Sequence, residues 1–564
     1  MKKLYKYLFQ AAAVLCLSTA SQGLVSCSEA DSELVSFVED NRLDTPNDTL
    51  YSLMGIINKM QVVADRTILL GELRGDLTSL TENATLELQD VANFTADAHN
   101  PYNNARDYYA IIQNCNYFLA NANTELTKRG VPVFDKEYAV VKAYRAWTYL
   151  QLALIYGKVP FITQPILAEK DANPSKYPQY DVKQIADYFI DDLIPYMDVE
   201  YPNYGSVGGV NSQKFYFPIR VLIGDLCLWA DRPQEAAKYY HDYLTMLGNT
   251  RPLGISRATW ADRNFERESL GSYANQFGSG NTDILTLIPM ETDEYNGIVS
   301  RLNDVFNSTS DNFYFYQATH SKAYDELSMS QAYTMIDLNT VTIVADTIGP
   351  PEDKIYKPEY QRGDLRLLAV YGELTSYKGA QGGYSELIQS CNKYDSKNVH
   401  LYRLVHVYLR YAEALNRAGY PQSAFAVLKY GLWKDNIEKY ISEDERARAG
   451  ELISFSENNF TRNNTIGLHS RGSGDADANK EYAIPELETL EDSILFVEDA
   501  ICDEMALETA AEGLRFYDLM RLSMHRSDPT FLAGKVAGRN GADNFDYDLY
   551  EFLSKEENWY LPLE

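Results

Sequence analysis

The stretch LRYAEALNRAGYPQSAFAVLKYGL (409–432) reads as a helix, a short turn, and a second helix opened by P-Q-x-A. Proline suits the first turn of a helix because its missing N–H would lack a partner there anyway. The small Ala424 lets the two helices approach closely. A second segment, DLCLWADRPQEAAKYYHDYL (225–244), repeats the design, with Pro233 and Ala236 in the same roles. Both have the form of tetratricopeptide helix hairpins. Pro233 and Pro421 lie much further apart than one such repeat, so the hairpins do not form a regular tandem array. A large insertion divides them.

Apolar residues recur at helical spacing from about residue 49 to 246, a range that includes the hairpin at 225–244. In VKAYRAWTYLQLALIYGKVP (141–160), Ala143, Trp147, Leu150 and Leu154 share one face, and Gly157 and Pro160 mark the stop. The insertion, 247–399, has another texture. It is richer in Gly, Asn, Ser and Asp, with runs such as DILTLIPM (283–290) and VTIVADTIG (341–349) short enough for strands. Irregular connections on a rigid scaffold are where binding functions usually sit. A second irregular block spans 443–494, and the last strong helical pattern is expected from about Ile494 to Met524. The fold class is therefore mainly α.

The N-terminus has the order of a secretory signal: Lys2, Lys3 and Lys6 precede an apolar run from Leu8 to Leu17. That run is too short to cross a bilayer, which takes about 20 apolar residues. Leu24-Val25-Ser26-Cys27 resembles the lipobox of bacterial lipoproteins, in which the cysteine takes a diacylglycerol and becomes the first residue. Cys27 is then a lipid anchor, residues 1–26 a lipoprotein signal peptide, and the acidic, aperiodic stretch 27–48 a flexible tether.

Removing residues 1–26 takes away three lysines and no acids, so the formal charge moves from −29 to −32. Such a surface repels phosphate backbones and excludes nucleic acid as a principal partner. Cysteines at 115, 227, 391 and 502 are widely spaced, with no C-x-x-C pair, and read as buried thiols. Tyrosine is over-represented, 44 against 22 Phe and 5 Trp. Most of these rings are expected in helix seams, with some left for a recognition surface.

Several segments together resemble the SusD/RagB family of Bacteroidota outer-membrane nutrient-binding lipoproteins: GELRGD (71–76), YRAWTYLQLALIYGKVPF (144–161), YRLVHVYLRYAEALNRAG (402–419), ETAAEGLRFYDLMRL (508–522) and the ending NWYLPLE (558–564). The resemblance implies a SusD-like domain over 49–564. Its helical scaffold covers about 49–246 and 400–564 and carries tetratricopeptide-type hairpins, and the ligand-side insertion covers about 247–399. It also implies no catalytic activity, no cofactor, and a role as the lid of a SusC-like TonB-dependent barrel transporter in the outer membrane. The ligand is an oligosaccharide or, in some branches, a peptide. A structural or adhesive surface lipoprotein and a glycosidase are the rival readings from other classes.

Sugars need aromatic faces for their C–H surfaces and amides or acids for their hydroxyls. The aromatic-rich loops PYNNARDYY (101–109), RATWADRN (257–264) and SDNFYFYQ (310–317) supply Tyr102, Trp260, Phe313, Tyr314 and Tyr316 as candidate ligand contacts. In the family a tryptophan often precedes the tyrosine that matches Tyr109. Here that neighbourhood reads NNARD, which counts against a starch-like platform.

The most enzyme-like cluster is Glu504, Glu508, Glu512, Arg515, Asp518 and Arg521. The three glutamates are expected along one helix face, with Glu512–Arg515 and Asp518–Arg521 at ion-pair spacing, an arrangement that suits a structural network better than glycoside cleavage. DADANKEYAIPE (475–486) places Asp475, Asp477, Asn479 and Glu486 at calcium-loop positions. Lys480 stands where that loop wants glycine and Pro485 precedes the closing glutamate, so a solvated acidic loop is expected. The closest histidines, His400 and His406, lack the i, i+4 spacing of a helical zinc site, and no metal is expected.

Overall fold

The computed structural model describes residues 46–254, 259–263, 266–270, 277–309, 312, 315–331, 333–337, 342–348, 363–378, 384–394, 397–473 and 482–563. The principal helices are α1 (Pro46–Glu72), α2 (Ala105–Asn121), α3 (Asp135–Tyr156), α4 (Val182–Leu193), α5 (Ile219–Trp229), α6 (Pro233–Thr245), α7 (Leu404–Arg417), α8 (Pro421–Lys429), α9 (Leu490–Thr509), α10 (Arg515–Arg526), α11 (Pro529–Ala537) and α12 (Tyr547–Leu553).

The two quoted hairpins are α5–α6 and α7–α8, and Pro233 and Pro421 each open the second helix of their pair. Close approach in α5–α6 depends on Gly224 as well as Ala236. A Cβ at Gly224 would fall 2.6 Å from Cε1 of Tyr240, so the tyrosine ring lies directly on the partner backbone. Helix α3 stops where the sequence says it should: Gly157 follows at φ 75°, a conformation that suits a residue without a side chain.

Strands gather between α6 and α7. They are β2 (Thr259–Arg263), β3 (Glu266–Leu270), β4 (Ile284–Ile288), β5 (Ala318–His320), β6 (Tyr333–Asp337), β7 (Thr342–Ile348), β8 (Tyr371–Lys378), β9 (Tyr384–Cys391) and β10 (Val399–Arg403), while β1 (Thr78–Leu80) precedes them in the scaffold. A four-stranded sheet runs β7-β6-β2-β3, with β6 and β2 parallel. The β8–β9 hairpin runs in register from Tyr371↔Cys391 to Lys378↔Tyr384. The β1–β5 pair, Thr78↔His320 to Leu80↔Ala318, stitches the scaffold to the segment between β4 and β6.

The core lies in the helix seams, and tyrosine fills much of it. Tyr108, Tyr144, Tyr149, Tyr216 and Tyr240 are fully buried. Burial requires the phenol to find a partner where it can. Tyr144 donates to the Phe215 carbonyl at 2.6 Å, and Tyr240 donates to Asp225 at 2.6 Å. Trp147 stacks on Phe217 with centroids 5.0 Å apart. Cys115, Cys227, Cys391 and Cys502 are buried free thiols.

The long C-terminal helix expected from Ile494 to Met524 is two helices. α9 ends at Thr509 and α10 begins at Arg515, with Ala511 at φ 63° and Gly513 at φ 73° between them. The break is held from the far end of the chain. The Glu72 carboxylate, completely buried, accepts from the backbone N–H groups of Ala511 (2.9 Å) and Gly513 (3.1 Å). Arg515 grips Asp76 through Nε (2.5 Å) and Nη2 (2.9 Å). Gly71 faces Gly513 so closely that a Cβ would sit 1.8 Å from the Gly513 oxygen. GELRGD and ETAAEGLRFYD are thus one clasp between the end of α1 and the α9–α10 junction.

This corrects the expected glutamate face. Glu512 lies beyond the end of α9 and pairs with Lys393, Arg403 and His406 rather than with Arg515. The Asp518–Arg521 pair does form, at 2.8 Å. Arg366, fully buried, bonds Asp364 (2.8 Å), Glu504 (2.5 Å) and Glu508 (3.1 Å). Burial pushes the Glu504 carboxyl up, but Arg366 and His469 outweigh it and hold the group at about 2. The arginines beside Glu504 and Glu508 favour their ionised forms, which suits a cross-link rather than proton transfer.

Candidate functional site

The β1–β5 pairing lays residues 78–86 beside residues 315–320. Thr81 fixes the junction: its N–H donates to the Gln317 carbonyl (2.8 Å) and its hydroxyl donates to the Tyr316 carbonyl (2.6 Å). The Thr85 N–H then bonds the Gln317 side chain at 3.1 Å. On these two adjoining segments stand Leu86, 73% exposed, and Phe315, 56% exposed. Phe315 is held by the Asn312 turn. Asn312 donates to the carbonyls of Asp304 (3.2 Å) and Asn307 (3.0 Å) and accepts the Phe315 N–H at its own carbonyl (3.2 Å).

Tyr102 joins this face through a short helix at Leu86–Ala92. Asn100 is the hinge, because its amide donates to the Glu87 carbonyl at 2.9 Å while its oxygen accepts the Tyr102 N–H at 3.0 Å. An Asx turn of this kind is a local property of asparagine. Tyr102 is half-buried, and its phenol is pushed up first by burial and then by the charges of Asp65 and Glu87.

The loop 289–301 is a further exposed segment anchored to the scaffold. Its two ends are tied to one side of α1: Gln61 donates to the Pro289 carbonyl at 2.6 Å, and Asp65 accepts from the Ser300 hydroxyl (2.6 Å) and the Arg301 N–H (2.7 Å). Between those ties Tyr295 is 99% exposed, with its N–H bonded to Asp293 at 3.0 Å. Arg301 pairs with Asp304 at 3.4 Å and with Glu294. These segments expose Leu86, Tyr295 and Phe315 and also carry the exposed Asn83, Glu87, Glu294 and Arg301. Such surfaces take up flat C–H faces and satisfy hydroxyls at their margins.

Of the residues singled out from sequence, Tyr102 and Tyr316 stand on the segments described above. Tyr316 is half-buried, and its carbonyl is already engaged by Thr81. Trp260 lies in β2 opposite Ser269 and Met335, with its side chain outside the described residues. Phe313, Tyr314, Cys27, Asp475, Asp477 and Asn479 also lie outside the described residues, while Glu486 is exposed. Sequence reasoning passed over Phe315, although it stands inside SDNFYFYQ, and it passed over Leu86 and Tyr295 altogether. Composition marks a loop as aromatic without telling which ring points outward. Among the described residues no cluster of His, Cys, Asp or Glu is arranged to hold a metal ion, and no helix is long and apolar enough to cross a membrane.

No curated protein sequence matches the chain. Solved structures share its fold at low identity. A SusD superfamily protein from Bacteroides thetaiotaomicron VPI-5482 superposes with a TM-score of 0.53 at 16% identity, covering 85% of this chain and 89% of its own. One from Bacteroides vulgatus ATCC 8482 gives 0.53 at 13%, covering 90% and 92%. A SusD-like carbohydrate binding protein from Bacteroides fragilis NCTC 9343 gives 0.53 at 14%, covering 86% and 87%. The model of the SusD family matches residues 371–564, which contain α7–α8 and the C-terminal half of the clasp. The chain thus has a SusD-like fold over its described scaffold, and its residues 371–564 match the model of the SusD family.

Proposed function

We propose that this protein is a cell-surface lipoprotein that captures oligosaccharides and delivers them to a TonB-dependent outer-membrane transporter, for which it acts as a lid. The observation that carries the reading is the exposure of Phe315, Leu86 and Tyr295 on segments locked by backbone hydrogen bonds. A preorganised ring surface costs little ordering entropy when a sugar docks. The carbohydrate-binding relative in the same fold supports a glycan as the cargo. The lipobox supplies the tether, and tethering turns lid closure into an intramolecular event, so weak lid–barrel contacts suffice. The protein works by binding alone. Its glutamate cluster is sealed among arginines, away from any substrate.

The test is a binding screen of the soluble chain against glycan and peptide arrays, with Phe315→Ala alongside. Oligosaccharide binding that falls in the variant is the expected result. Binding of peptides alone moves the cargo to the peptide branch, and cleavage of any bound glycan overturns the reading. Replacement of Cys27 is expected to abolish uptake by cells while leaving the affinity of the soluble chain unchanged.

A further inference from the structure

Four helices run out at one cleft. Tyr156 ends α3, Trp229 ends α5, Arg417 ends α7, and His525 lies in the last turn of α10, and all four line a space of about 1180 Å³. That volume exceeds the roughly 300–1,000 Å³ usual for small-molecule pockets, so an oligomeric ligand fits it better than a single small unit.

One wall is the C-terminal segment from Glu556 to Pro562. It is built into the fold. The Trp559 indole donates to the Leu553 carbonyl at 2.7 Å, and the Leu561 N–H donates to the Ile155 carbonyl at 2.8 Å. The Tyr560 ring packs over Gly157, where a Cβ would lie 3.1 Å from the ring. Phe552, 40% exposed, and the half-buried Phe94 add apolar surface to the same cleft.

The electrostatics select among ligands. Each of the four helix C-termini carries a partial negative charge of roughly half a unit, and Asp231, Glu556 and Glu557 also line the cleft, while the N-termini of α4 and α11 that reach it are capped by the carboxylates of Asp181 and Asp528. Its arginines are already paired: Arg521 bonds Glu413 in bidentate fashion (2.8 and 2.7 Å), and Arg417 pairs with Asp231 of the same cleft at 2.8 Å. His525 bonds Glu498 at 2.6 Å. Lys158 and Lys183 line the cleft beside Gly157 and Asp181. A site of this kind favours a donor-rich neutral molecule and disfavours phosphate, sulfate or uronate groups. A polyhydroxylated chain with flat C–H faces meets both demands, since its hydroxyls can donate to carbonyls and carboxylates while its faces lie on Tyr560 and Phe552.

We propose that this cleft is a second carbohydrate site, taking a neutral oligosaccharide, distinct from the surface formed by Leu86, Tyr295 and Phe315. It goes beyond the cargo-capture reading and shares with it only the ligand class.

Hydrogen-exchange footprinting of the full chain tests it, using short neutral oligosaccharides and uronic-acid oligosaccharides as probes. Neutral probes are expected to protect residues 556–562 and 157–158, and to do so equally in Phe315→Ala. Phe552→Ala, an exposed position that leaves the core intact, is expected to weaken that protection about tenfold, the loss of one ring contact of about 1.4 kcal/mol. Protection confined to 83–102 and 291–316 overturns this proposal and leaves the first reading standing. Equal protection by uronic-acid probes, or no effect of Phe552→Ala, also overturns it. If no form of the protein responds to any sugar, both readings fall.

Discussion

Asp65 accepts the Ser300 hydroxyl at 2.6 Å, a contact that joins α1 to the loop bearing Tyr295 across 235 residues of chain. Its second oxygen takes the Arg301 N–H at 2.7 Å. The carboxylate is therefore a clamp that fixes an otherwise exposed loop to the most regular part of the scaffold. Asp65→Ala is expected to cost about 1–3 kcal/mol, as for a lost hydrogen-bonded charge. Amides in 291–300 should exchange faster with no change in the exchange of α3 or α5. Unchanged exchange in the loop would remove the clamp from the account.

Arg366 is the centre of the buried network, bonded to Asp364, Glu504 and Glu508 with no exposure of its own. Removing one partner of such a group leaves buried charges uncompensated, which costs about 3–5 kcal/mol. Arg366→Met is expected to lower the unfolding free energy by that amount in urea titration. Arg301→Ala, which removes an exposed arginine, should change it by less than about 1 kcal/mol.

The pH dependence of stability follows from the same network. Burial raises Glu504, Glu508, Glu512, Glu413 and Asp76, but the arginines beside them outweigh it, so each ionises more readily folded than unfolded. The unfolded chain then binds more protons at acid pH. The stability these groups confer is complete above the ordinary carboxylate range and is lost as pH falls, toward about 2 in the case of Glu504. Asp65, Glu72, Glu445 and Asp503 act in the opposite sense. Burial raises their carboxyls, so their contribution is present at low pH and is lost as pH rises through the ordinary value to the raised one. Urea midpoints are expected to fall as pH drops below the ordinary glutamate value near 4.5, with a shallower fall in Glu504→Gln. An unchanged slope in that variant would contradict the pairing with Arg366 and His469.

Two glycines of α1 make a matched pair. A Cβ at Gly71 would strike the Gly513 carbonyl at 1.8 Å, whereas a Cβ at Gly55 meets nothing within 4 Å. Gly71→Ala is expected to open the clasp and lower Tm sharply. Gly55→Ala is expected to raise stability by about 0.5–1 kcal/mol, the usual gain in helix propensity.

At the proposed glycan face, Phe315→Ala is expected to weaken oligosaccharide binding about tenfold and leave Tm within error, because the ring is exposed and the turn beneath it is held by Asn312. A fall in Tm without loss of affinity would make Phe315 a packing residue.

Near neighbours along the chain fix the local elements. The α5–α6 and α7–α8 hairpins follow from 3.6-residue periodicity and from Pro233 and Pro421, and the end of α3 follows from Gly157. The strand runs at 284–288 and 342–348 were legible because they are short and apolar. Tertiary structure alone decided the C-terminal break and the outward rings. Ala510, Ala511 and Glu512 favour helix locally, yet the chain turns there because Glu72, 439 residues away, captures the Ala511 N–H. Glu512 likewise finds Arg403 109 residues distant instead of Arg515 nearby. The exposure of Phe315 beside the half-buried Tyr316 depends on the pairing of β1 with β5. Periodicity encodes contacts within a helical turn or along one strand, whereas a buried charge or an exposed ring is fixed by partners that only the folded chain brings within a few ångströms.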